Sequence, residues 1–356
     1  MIESKKIKLL ITGASGFIGS NFIKTMHEKY DITALVRESS NVDSIKNYAK
    51  IYIYNRNIES LSKFLKKENF SGILHLATLY IKNHKSSDIA NLIDSNITFG
   101  SEILESLSQI NFKGFFINIC TFWQFYKNVK KPLNLYAATK DAFLDIVNFY
   151  ADSTEIKFSN VYLNDTYGSG DTRPKIFNLW SKIALSGESV DMSGGEQIID
   201  MLHISDVVNA LNILIDILES NMATLAVNRH FVLHSNERKS LKEIAKIYEN
   251  ALNVKLNINW GALPYATREN FIPYEFGDTL PTWQAQMPLE QGFRLSFGDD
   301  IESVKHKWGG GGVTHLNSSH FNQIIESRFY KTSKFHNFKI SKVQIHFTLS
   351  KRRNYA

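Results

Sequence analysis

Three features of the sequence predict an α/β fold, with a doubly wound parallel sheet and a smaller C-terminal lobe. Short β-branched runs alternate with helix-length segments through the first half of the chain, as in a parallel sheet flanked by helices. A glycine-rich turn joins the first run to a segment with helical periodicity. After residue 168 the pattern loosens into loops and short elements, which is typical of a lobe that closes over a ligand.

The predicted strands are short apolar runs bounded by helix-length segments. They are residues 6–12, 31–36, 50–54, 72–77 and 114–119. Residues 88–109 are predicted to form a helix, because their apolar side chains recur three and four positions apart. This alternation of strands and helices predicts a sheet whose strands run parallel.

The bulk composition indicates an ordinary globular protein. Of the 356 residues, 43% are hydrophobic and 21% are charged. The single cysteine, Cys120, excludes an intrachain disulfide and fits a reducing compartment. The apolar run near the N-terminus is broken by glycines and is too short for a membrane span. We therefore expect a cytoplasmic protein without a membrane partner.

The net charge of +6 belongs to the C-terminal end. From Gly309 onward there are eight Lys or Arg and one acidic residue, a balance of +7 that leaves −1 for residues 1–308. The body of the chain is not basic, so we expect no nucleic-acid partner. Our hypothesis is that residues after Gly312 are read in a shifted frame or were appended recently. A basic arm that docks on a membrane surface or a partner is the alternative.

The glycine-rich turn has the spacing Gly13-x-x-Gly16-x-x-Gly19 between a predicted strand and a predicted helix. Glycines at these positions allow a tight turn and let backbone amides approach a diphosphate at the helix N-terminus. A glycine triplet alone is weak evidence, but its place between strand and helix predicts a Rossmann domain that binds a dinucleotide.

The end of the second predicted strand indicates which dinucleotide binds. Arg37 lies there with Ser39 and Ser40 beside it, and a guanidinium with hydroxyls suits the 2′-phosphate of NADP. Glu38 is the counter-argument, because a carboxylate in this region can hold the ribose hydroxyls of NAD. The sequence favours NADP and leaves NAD open.

Tyr136 and Lys140 are four residues apart in the segment NLYAATK, so on a helix they share one face. A phenol is a competent acid at neutral pH, and we expect the ammonium of Lys140 to lower its pKa toward the working range. Thr121, just after a predicted strand, would polarise the reacting oxygen. A tyrosine and a lysine at this spacing, without further motifs, are more often two solvent-exposed side chains of a helix. The upstream glycine loop and Thr121 favour a catalytic interpretation here.

With these motifs together, the chain resembles the extended short-chain dehydrogenases/reductases that modify nucleotide sugars. The resemblance covers about residues 5–298 and is carried by the segments TGASGFIG, ILHLAT, NDTYGSGD, GGEQIIDMLHISDVVNAL and LPTWQAQMPLEQGF. Within this family, HLATLY, NLYAATK and the GEQIID segment are most similar to the bacterial CDP-paratose and CDP-abequose synthases. Those enzymes reduce the carbon-4 ketone of a CDP-4-keto-3,6-dideoxyhexose.

The resemblance implies roles for individual residues. Thr121, Tyr136 and Lys140 match the family's catalytic trio, and Asn96 falls where the family has a helix asparagine that supports the lysine. The implied cofactor-binding residues are Gly13, Ser15, Gly16, Phe17, Ile18, Gly19, Arg37, Asn57, Leu76, Ala77, Thr78, Tyr136 and Lys140. The implied substrate-binding residues are Thr121, Asp165, Arg173, Lys175, Gln197 and Arg268. No metal site is implied.

The resemblance also implies a division of the chain. Residues 1–168 would form the NAD(P)-binding Rossmann domain, completed by about 198–236. Residues 169–197 and 237–298 would form the substrate-binding lobe, and residues 299–356 an appended basic tail. The helix after Tyr136 is apolar enough to contribute to a homodimer contact of the kind that related enzymes use.

Three departures from the family pattern concern the substrate. Ile199 stands where the wider family has a phosphate-binding arginine, Asp165 where it often has a sugar-contacting asparagine, and Tyr162 replaces another frequent arginine. The charge of a substrate diphosphate must then be met elsewhere. The candidates are Arg173, Lys175 and Arg268.

The residues after Thr121 discriminate among the family's reactions. Dehydratases have Asp and Glu there, whereas this chain has Phe122 and Trp123, which cannot transfer protons. Arg37 favours reduction, because the cellular NADPH pool drives ketones toward alcohols. The sequence thus predicts NADPH-dependent reduction of the carbon-4 ketone of a nucleotide-linked deoxyhexose, with CDP as the nucleotide, for surface-polysaccharide synthesis. An NAD-dependent 4-epimerase is the alternative, and the intact trio argues against a non-catalytic NADP-binding protein.

Overall fold

The structure is a computed structural model that describes residues 6–173 and 175–307, with side-chain surroundings through residue 303. The strands are β1 (Lys8–Thr12), β2 (Asp31–Val36), β3 (Lys50–Ile53), β4 (Gly72–His75), β5 (Phe115–Thr121), β6 (Phe125–Tyr126), β7 (Val129–Lys130), β8 (Lys157–Leu163), β9 (Asp165–Tyr167), β10 (Val190–Met192), β11 (Ile198–His203), β12 (Arg229–Leu233), β13 (Arg238–Ser240) and β14 (Ile258–Trp260). The helices are α1 (Phe17–Met26), α2 (Ile58–Glu68), α3 (Ile89–Ile93), α4 (Phe99–Gln109), α5 (Leu135–Ser153), α6 (Ile176–Ser186), α7 (Ile204–Glu219), α8 (Leu241–Leu252) and α9 (Leu289–Lys307).

The central sheet has seven strands in the order β12-β8-β5-β4-β1-β2-β3. All of its strand pairs are parallel, so the predicted doubly wound sheet is confirmed. The five predicted strands correspond to β1–β5. The strand order reverses between β1 and β4, and the crevice outside the carboxyl ends of strands at such a point is where open α/β sheets bind ligands.

Helices cover both faces of this sheet, because most of its strands are apolar on both sides. On one face α1 and α7 pack on the sheet through side chains such as Phe22 and Leu214. On the other face α2, α4 and α5 bury Leu61, Leu104 and Phe143 against the sheet. Burial on both faces explains why the strands read as continuous apolar runs rather than as alternating patterns.

The second part of the structure is a smaller lobe. It contains a three-stranded sheet in the order β13-β11-β9, the parallel pair β10 and β14, and helices α6, α8 and α9. Its core is strongly aromatic, and the residues at its centre are Tyr167, Phe177, Trp180, Tyr248 and Phe293. Gly292 is needed here, because a β-carbon at that position would overlap the hydroxyl of Tyr167.

The end of the lobe differs from the sequence prediction. Helix α9 continues through Lys307, and the side chain of Ile301 is 1% exposed within the lobe core. The predicted boundary at 298/299 therefore lies inside a helix, because the apolar spacing of Phe293 and Phe297 extends to Ile301. The tail hypothesis for residues after Gly312 concerns a segment outside the described residues. Within the described residues, no helix is long and apolar enough to cross a membrane.

Candidate active site

The glycine loop is held in a shape that requires glycine. Gly13 has φ +63°, and a β-carbon there would lie 2.6 Å from the amide nitrogen of Ala77. A β-carbon on Gly19 would overlap the carbonyl oxygen of Gly13. Helix α1 begins at Phe17 without a side-chain cap and without an acidic residue in its first turn. Its first amide groups are therefore open to an anion, and the loop fits the diphosphate of a dinucleotide.

The end of β4 is fixed against this loop by one hydroxyl. Thr12 Oγ1 accepts a hydrogen bond from the amide of Ala77 at 3.2 Å and lies 3.0 Å from Nδ1 of His75. Leu76 and Ala77 are thereby placed beside the glycines, while Thr78 is exposed. These three predicted cofactor residues follow β4 at the carboxyl edge of the sheet, next to the point where the strand order reverses.

Two of the predicted cofactor-binding residues, Arg37 and Asn57, lie at the surface. Arg37 is exposed just beyond β2, and its amide donates to Ser40 Oγ at 3.2 Å. Its guanidinium forms no ion pair with any residue that the structure describes. Asn57 caps α2, because its Oδ1 accepts from the amide of Ser60 at 2.8 Å. Asn57 therefore has a local structural role that the sequence prediction did not include.

Tyr136 and Lys140 lie on the first turns of α5, whose N-cap is Asn134. Asn134 Oδ1 accepts from the amide of Ala137 at 2.9 Å, so an N-cap signal precedes the pair in the sequence. The side chains of Tyr136 and Lys140 are 9% and 3% exposed. The pair is therefore buried, and the solvated-pair interpretation is excluded.

The pKa of Tyr136 differs from the sequence expectation. Burial raises it to about 12, although hydrogen bonds with Thr78 and Thr121 and the charge of Arg173 act to lower it. Burial also lowers the pKa of Lys140, whose Nζ lies 5.8 Å from the centre of the Phe143 ring. The raised pKa is the opposite of what spacing alone led us to expect, and Arg173 is the cation whose charge lowers it here. The lowering expected from Lys140 together with a bound nicotinamide ring stays a prediction.

Asn96 lies in a π-helical turn, Asp94–Thr98, between α3 and α4. Its Oδ1 accepts from the Thr78 hydroxyl at 3.1 Å and from the Leu79 amide at 2.7 Å. Its Nδ2 donates to the Leu79 carbonyl at 3.1 Å and to Thr139 Oγ1 at 2.9 Å. Asn96 thus joins the segment after β4 to the helix that carries the tyrosine. No hydrogen bond between Asn96 and Lys140 occurs in the described structure.

Thr121 is fixed by a capping box that sequence reasoning missed. Its Oγ1 accepts from the amide of Trp123 at 3.3 Å, and its own amide donates to Gln124 Oε1 at 3.0 Å. Gln124 is fully buried, and its Nε2 donates to Asp141 of α5 at 3.1 Å. The signal was available, because T-x-x-Q is the sequence form of a capping box.

Two aromatic side chains beside Tyr136 were also missed. The Tyr80 ring lies edge-on to Tyr136 at 5.1 Å, and the Trp123 ring lies 6.5 Å away. Tyr80 and Trp123 contact each other at 5.6 Å. The phenol of Tyr136 therefore has apolar walls, and its polar neighbours are the hydroxyls of Thr78 and Thr121.

The charged residues after β8 pair with one another. Lys175 Nζ donates to the Thr166 carbonyl at 3.0 Å and lies 3.6 Å from Asp165. Burial and the neighbouring charge of Arg173 lower the pKa of Lys175. Arg173 forms two hydrogen bonds of 2.6 Å to the carboxylate of Asp171. The predicted Asp165, Arg173 and Lys175 thus form one cluster, with Asp171 as an additional member.

The two remaining predicted substrate residues lie in different environments. Gln197 is 6% exposed, and its buried Oε1 has no hydrogen-bond partner among the described residues. Such an acceptor is costly to bury unless a ligand or water supplies a donor. Arg268 is exposed, donates to the Lys131 carbonyl at 3.2 Å and lies 5.3 Å from the Tyr126 ring. Its described contacts are with the β6–β7 hairpin rather than with the cluster of Lys175.

A cleft of about 480 Å³ lies elsewhere, and lysines are prominent in its lining. It includes Lys8 and Asp31, which begin β1 and β2, so it opens at the amino edge of the sheet, opposite the catalytic residues. Its lysines are engaged, for example Lys8 with Glu68 at 3.1 Å and Lys50 with Asp31 at 2.9 Å. Among the described residues no group of three or more His, Cys, Asp or Glu is placed to hold a metal ion.

Comparisons with known proteins agree with this arrangement. Residues 9–228 match the model of the NAD dependent epimerase/dehydratase family. A CDP-abequose synthase of Salmonella typhimurium is 31% identical over 215 residues, covering 57% of this chain and 68% of the relative. One of Yersinia pseudotuberculosis is 28% identical over 207 residues, covering 58% and 72%.

Solved structures show the same fold at lower identity. A UDP-glucuronic acid 4-epimerase from Bacillus cereus, in complex with UDP-glucuronic acid and NAD, superposes with a TM-score of 0.71 at 20% identity. The match covers 84% of this chain and 100% of the other. A UDP-glucose 4-epimerase from Thermotoga maritima, with UDP-glucose, gives 0.70 at 19% identity, with coverage of 84% and 100%.

Proposed function

The chain belongs to the NAD dependent epimerase/dehydratase family, and we propose that it reduces the carbon-4 ketone of a nucleotide-linked deoxyhexose. The proposed nucleotide is CDP and the proposed reductant is NADPH. The similarity to two CDP-abequose synthases supports the nucleotide and the sugar class. Arg37, exposed at the end of β2 without a described ion-pair partner, supports NADPH.

The observation that carries the proposal is the position of Tyr136, which is 9% exposed on the first turn of α5, one turn before Lys140. Burial raises the pKa of Tyr136 to about 12, so the phenol holds its proton at neutral pH. Reduction of a ketone requires a proton at the developing alkoxide, and a protonated phenol is the group that can deliver it. Phe122 and Trp123 follow Thr121 where an eliminating enzyme needs an acid and a base, which argues against a dehydratase.

The other residues of the site have separate roles in the proposed reduction. A bound dihydronicotinamide would supply the hydride. The hydroxyl of Thr121 accepts from the Trp123 amide and hydrogen-bonds Tyr136, so a substrate oxygen bound beside Tyr136 would also lie within its reach. Lys140 lies one turn after Tyr136, where its charge would stabilise the phenolate left after proton transfer. Asn96 holds the segment after β4 against α5 and so fixes the spacing of Thr78 and Tyr136.

A 4-epimerase is the second candidate, because the similar solved structures are epimerases of nucleotide sugars, some with NAD. Glu38, exposed next to Arg37, would serve an NAD ribose. Epimerisation returns the cofactor to its starting state, whereas reduction consumes it. The two functions therefore differ in net cofactor oxidation. We further propose a cytoplasmic homodimer that acts in O-antigen or capsule synthesis.

The test is to mix the purified protein with NADPH or NADH and a panel of CDP-, UDP- and dTDP-linked 4-ketosugars. We expect stoichiometric loss of NADPH absorbance with a CDP-linked deoxy sugar, and transfer of deuterium from labelled NADPH to carbon 4. Tightly held NAD⁺ with interconversion of two sugars and no net oxidation would favour the epimerase. No reaction with any substrate would leave the non-catalytic alternative.

The pKa of Tyr136 adds a pH signature. The reductive direction needs the protonated phenol, which is the dominant form below about pH 12, so turnover should not fall through Tyr136 between pH 6 and 9. The reverse oxidation needs the phenolate, so its rate should rise about tenfold per pH unit over the same range. A reductive rate that falls with a midpoint near pH 7 would show that the phenol titrates there.

A further inference from the structure

The segment after β9 crosses the start of α1. A β-carbon on Gly168 would lie 3.4 Å from Cζ of Phe17, so the backbone of this segment packs directly on that ring. Five residues later the guanidinium carbon of Arg173 lies 4.5 Å from the centre of the same ring. Phe17 is the first residue of α1 and follows Gly16, the N-cap. The lobe therefore places a cation beside the helix terminus that would hold the diphosphate of a dinucleotide.

The guanidinium of Arg173 is fixed but not saturated. Its Nε and Nη2 each donate to Asp171 at 2.6 Å, and Nη2 also donates to Thr166 Oγ1 at 3.1 Å. Nη1 has no hydrogen-bond partner in the part of the chain that the structure describes. Asp171 is nearly buried, with 7% of its side chain exposed, while 30% of the Arg173 side chain is exposed. Asp171 thus orients an arginine that keeps donors for a ligand at Nη1.

Arg173 and Lys175 both donate to the Thr166 carbonyl, at 3.3 and 3.0 Å, but differ in their other contacts. Lys175 lies 3.6 Å from Asp165, at the start of β9. Arg173 lies against Phe17, the first residue of α1, and its charge lowers the pKa of Tyr136. A dinucleotide whose diphosphate sits at the N-terminus of α1 would therefore have that diphosphate beside Arg173.

We propose that Arg173 binds the diphosphate of the cofactor. The sequence had assigned Arg173 to the substrate diphosphate. Lys175 and the unpartnered Gln197 remain for the substrate. The inference rests on the proposed function for the presence of a nicotinamide dinucleotide, and it adds a direct contact between the lobe and that cofactor.

Binding measurements without turnover test the assignment. Fluorescence titrations would compare wild type with Arg173→Gln, using NADPH, 2′-phospho-ADP-ribose, adenosine 2′-monophosphate and CDP. We expect the dissociation constants of NADPH and 2′-phospho-ADP-ribose to rise about tenfold or more, the effect of losing a charge-assisted hydrogen bond. Adenosine 2′-monophosphate has no diphosphate, and CDP represents the substrate, so both should change less than twofold.

Matched variants control for charge and folding. Arg294→Gln removes an arginine from the exposed face of α9, where it pairs with Glu290, and should leave every dissociation constant unchanged. Arg173→Lys keeps the charge but loses the fork held by Asp171, so its NADPH affinity should lie between those of wild type and Arg173→Gln. Hydrogen exchange of wild-type segment 168–175 provides a second readout, and we expect NADPH to slow it.

The outcomes are distinguishable. Weaker CDP binding with unchanged NADPH binding would return Arg173 to the substrate and overturn the inference. Unchanged affinities for all four ligands, or exchange of segment 168–175 that is insensitive to NADPH, would also overturn it. If wild type binds neither NADPH nor NADH, the proposed function fails together with the inference. If Arg173→Gln does not fold, the NADPH affinity of Arg173→Lys and the hydrogen exchange of the wild type test whether Arg173 contacts the cofactor.

Discussion

The glycine loop of residues 13–19 and the charged loop of residues 165–175 face each other at the carboxyl edge of the sheet. In the glycine loop the contacts are between backbone atoms, such as Gly13 against the Ala77 amide. In the charged loop they are between side chains, such as Arg173 with Asp171 and Lys175 with Asp165. A close backbone contact allows only glycine at the position, whereas a charged side chain can pair with any opposite charge that the fold brings near it. The first loop is therefore determined by sterics and the second by pairing.

The largest expected effect concerns Tyr136, the proposed acid. Tyr136→Phe removes the proton that the proposed reduction needs, so turnover should fall at least about 100-fold while cofactor affinity is kept. Steady-state rates and NADPH titrations would measure this. Tyr150→Phe is the matched control, because it lies on the same helix and its hydroxyl bonds to Glu105 instead. Near-normal turnover of Tyr136→Phe would refute the assigned acid.

The second prediction tests the steric determination of the glycine loop. Gly13 and Gly187 both have positive φ, +63° and +71°, but open space surrounds a β-carbon on Gly187. Gly187→Ala should cost about 1–2 kcal/mol for the left-handed conformation. Gly13→Ala should cost about 1–3 kcal/mol more, because the Leu76–Ala77 backbone must move, and it should weaken NADPH at least about tenfold.

Chemical denaturation and cofactor titration would compare the two alanine variants. Equal losses of stability with unchanged NADPH affinity would show that backbone strain, and not contact with the β4 end, makes glycine necessary at residue 13. Both variants pay the cost of a left-handed conformation at alanine. The difference between their losses of stability therefore measures the close approach of residue 13 to the Leu76–Ala77 backbone.

The same contrast explains what the sequence could predict. The strands, the glycine loop and the Tyr136–Lys140 pair follow from local periodicity and sterics, and the structure places each where it was expected. The partner of Arg173 and the exposure of Arg268 could not be predicted, because they depend on which carboxylate or ring the fold brings near. The pKa of Tyr136 was misjudged because spacing on a helix gives proximity to Lys140 but not the depth of burial.

The third prediction concerns the end of the lobe. Truncation after Trp308 should leave the thermal midpoint and turnover unchanged, because the described lobe core is complete by Ile301. Truncation after Gly298 should lower the free energy of unfolding by about 2 kcal/mol, the value of burying one large aliphatic side chain. Denaturant midpoints of the two truncated proteins would be compared. A large loss already after Trp308 would show that residues 309–356 belong to the fold.

The fourth prediction concerns the adenosine end of the cofactor. There the charge of the Arg37 side chain is expected to determine whether NADPH or NADH binds more tightly. Arg37→Ala should weaken NADPH by about 1.5–3 kcal/mol, since a charge-assisted bond to the 2′-phosphate is lost, and should leave NADH nearly unchanged. Arg294→Ala serves as the control. Equal weakening of both cofactors, or of neither, would mean that Arg37 does not contact the 2′-phosphate.

The smallest expected effect concerns His75, a titratable side chain at the end of β4, beside the glycine loop. His75 is 1% exposed, shares the Thr12 hydroxyl with the Ala77 amide and packs against the rings of Phe116 and Phe143. Its Nε2 has no partner among the described residues. Burial, and secondarily the charge of Lys140, lowers its pKa from 6.5 to about 3. The folded protein therefore keeps this histidine neutral.

An unfolded chain takes up a proton at His75 below about pH 6.5, and the folded protein does not until about pH 3. The contribution of His75 to stability is thus complete above pH 6.5 and declines as the pH falls toward 3. Between pH 7.5 and 5.5 the loss should be about 1.4 kcal/mol. His75→Phe should lack this part of the pH dependence, whatever its absolute stability, since the other titrating groups are common to both proteins. Denaturant unfolding at the two pH values would measure the difference, and equal losses in wild type and variant would show that His75 titrates alike in the folded and unfolded states.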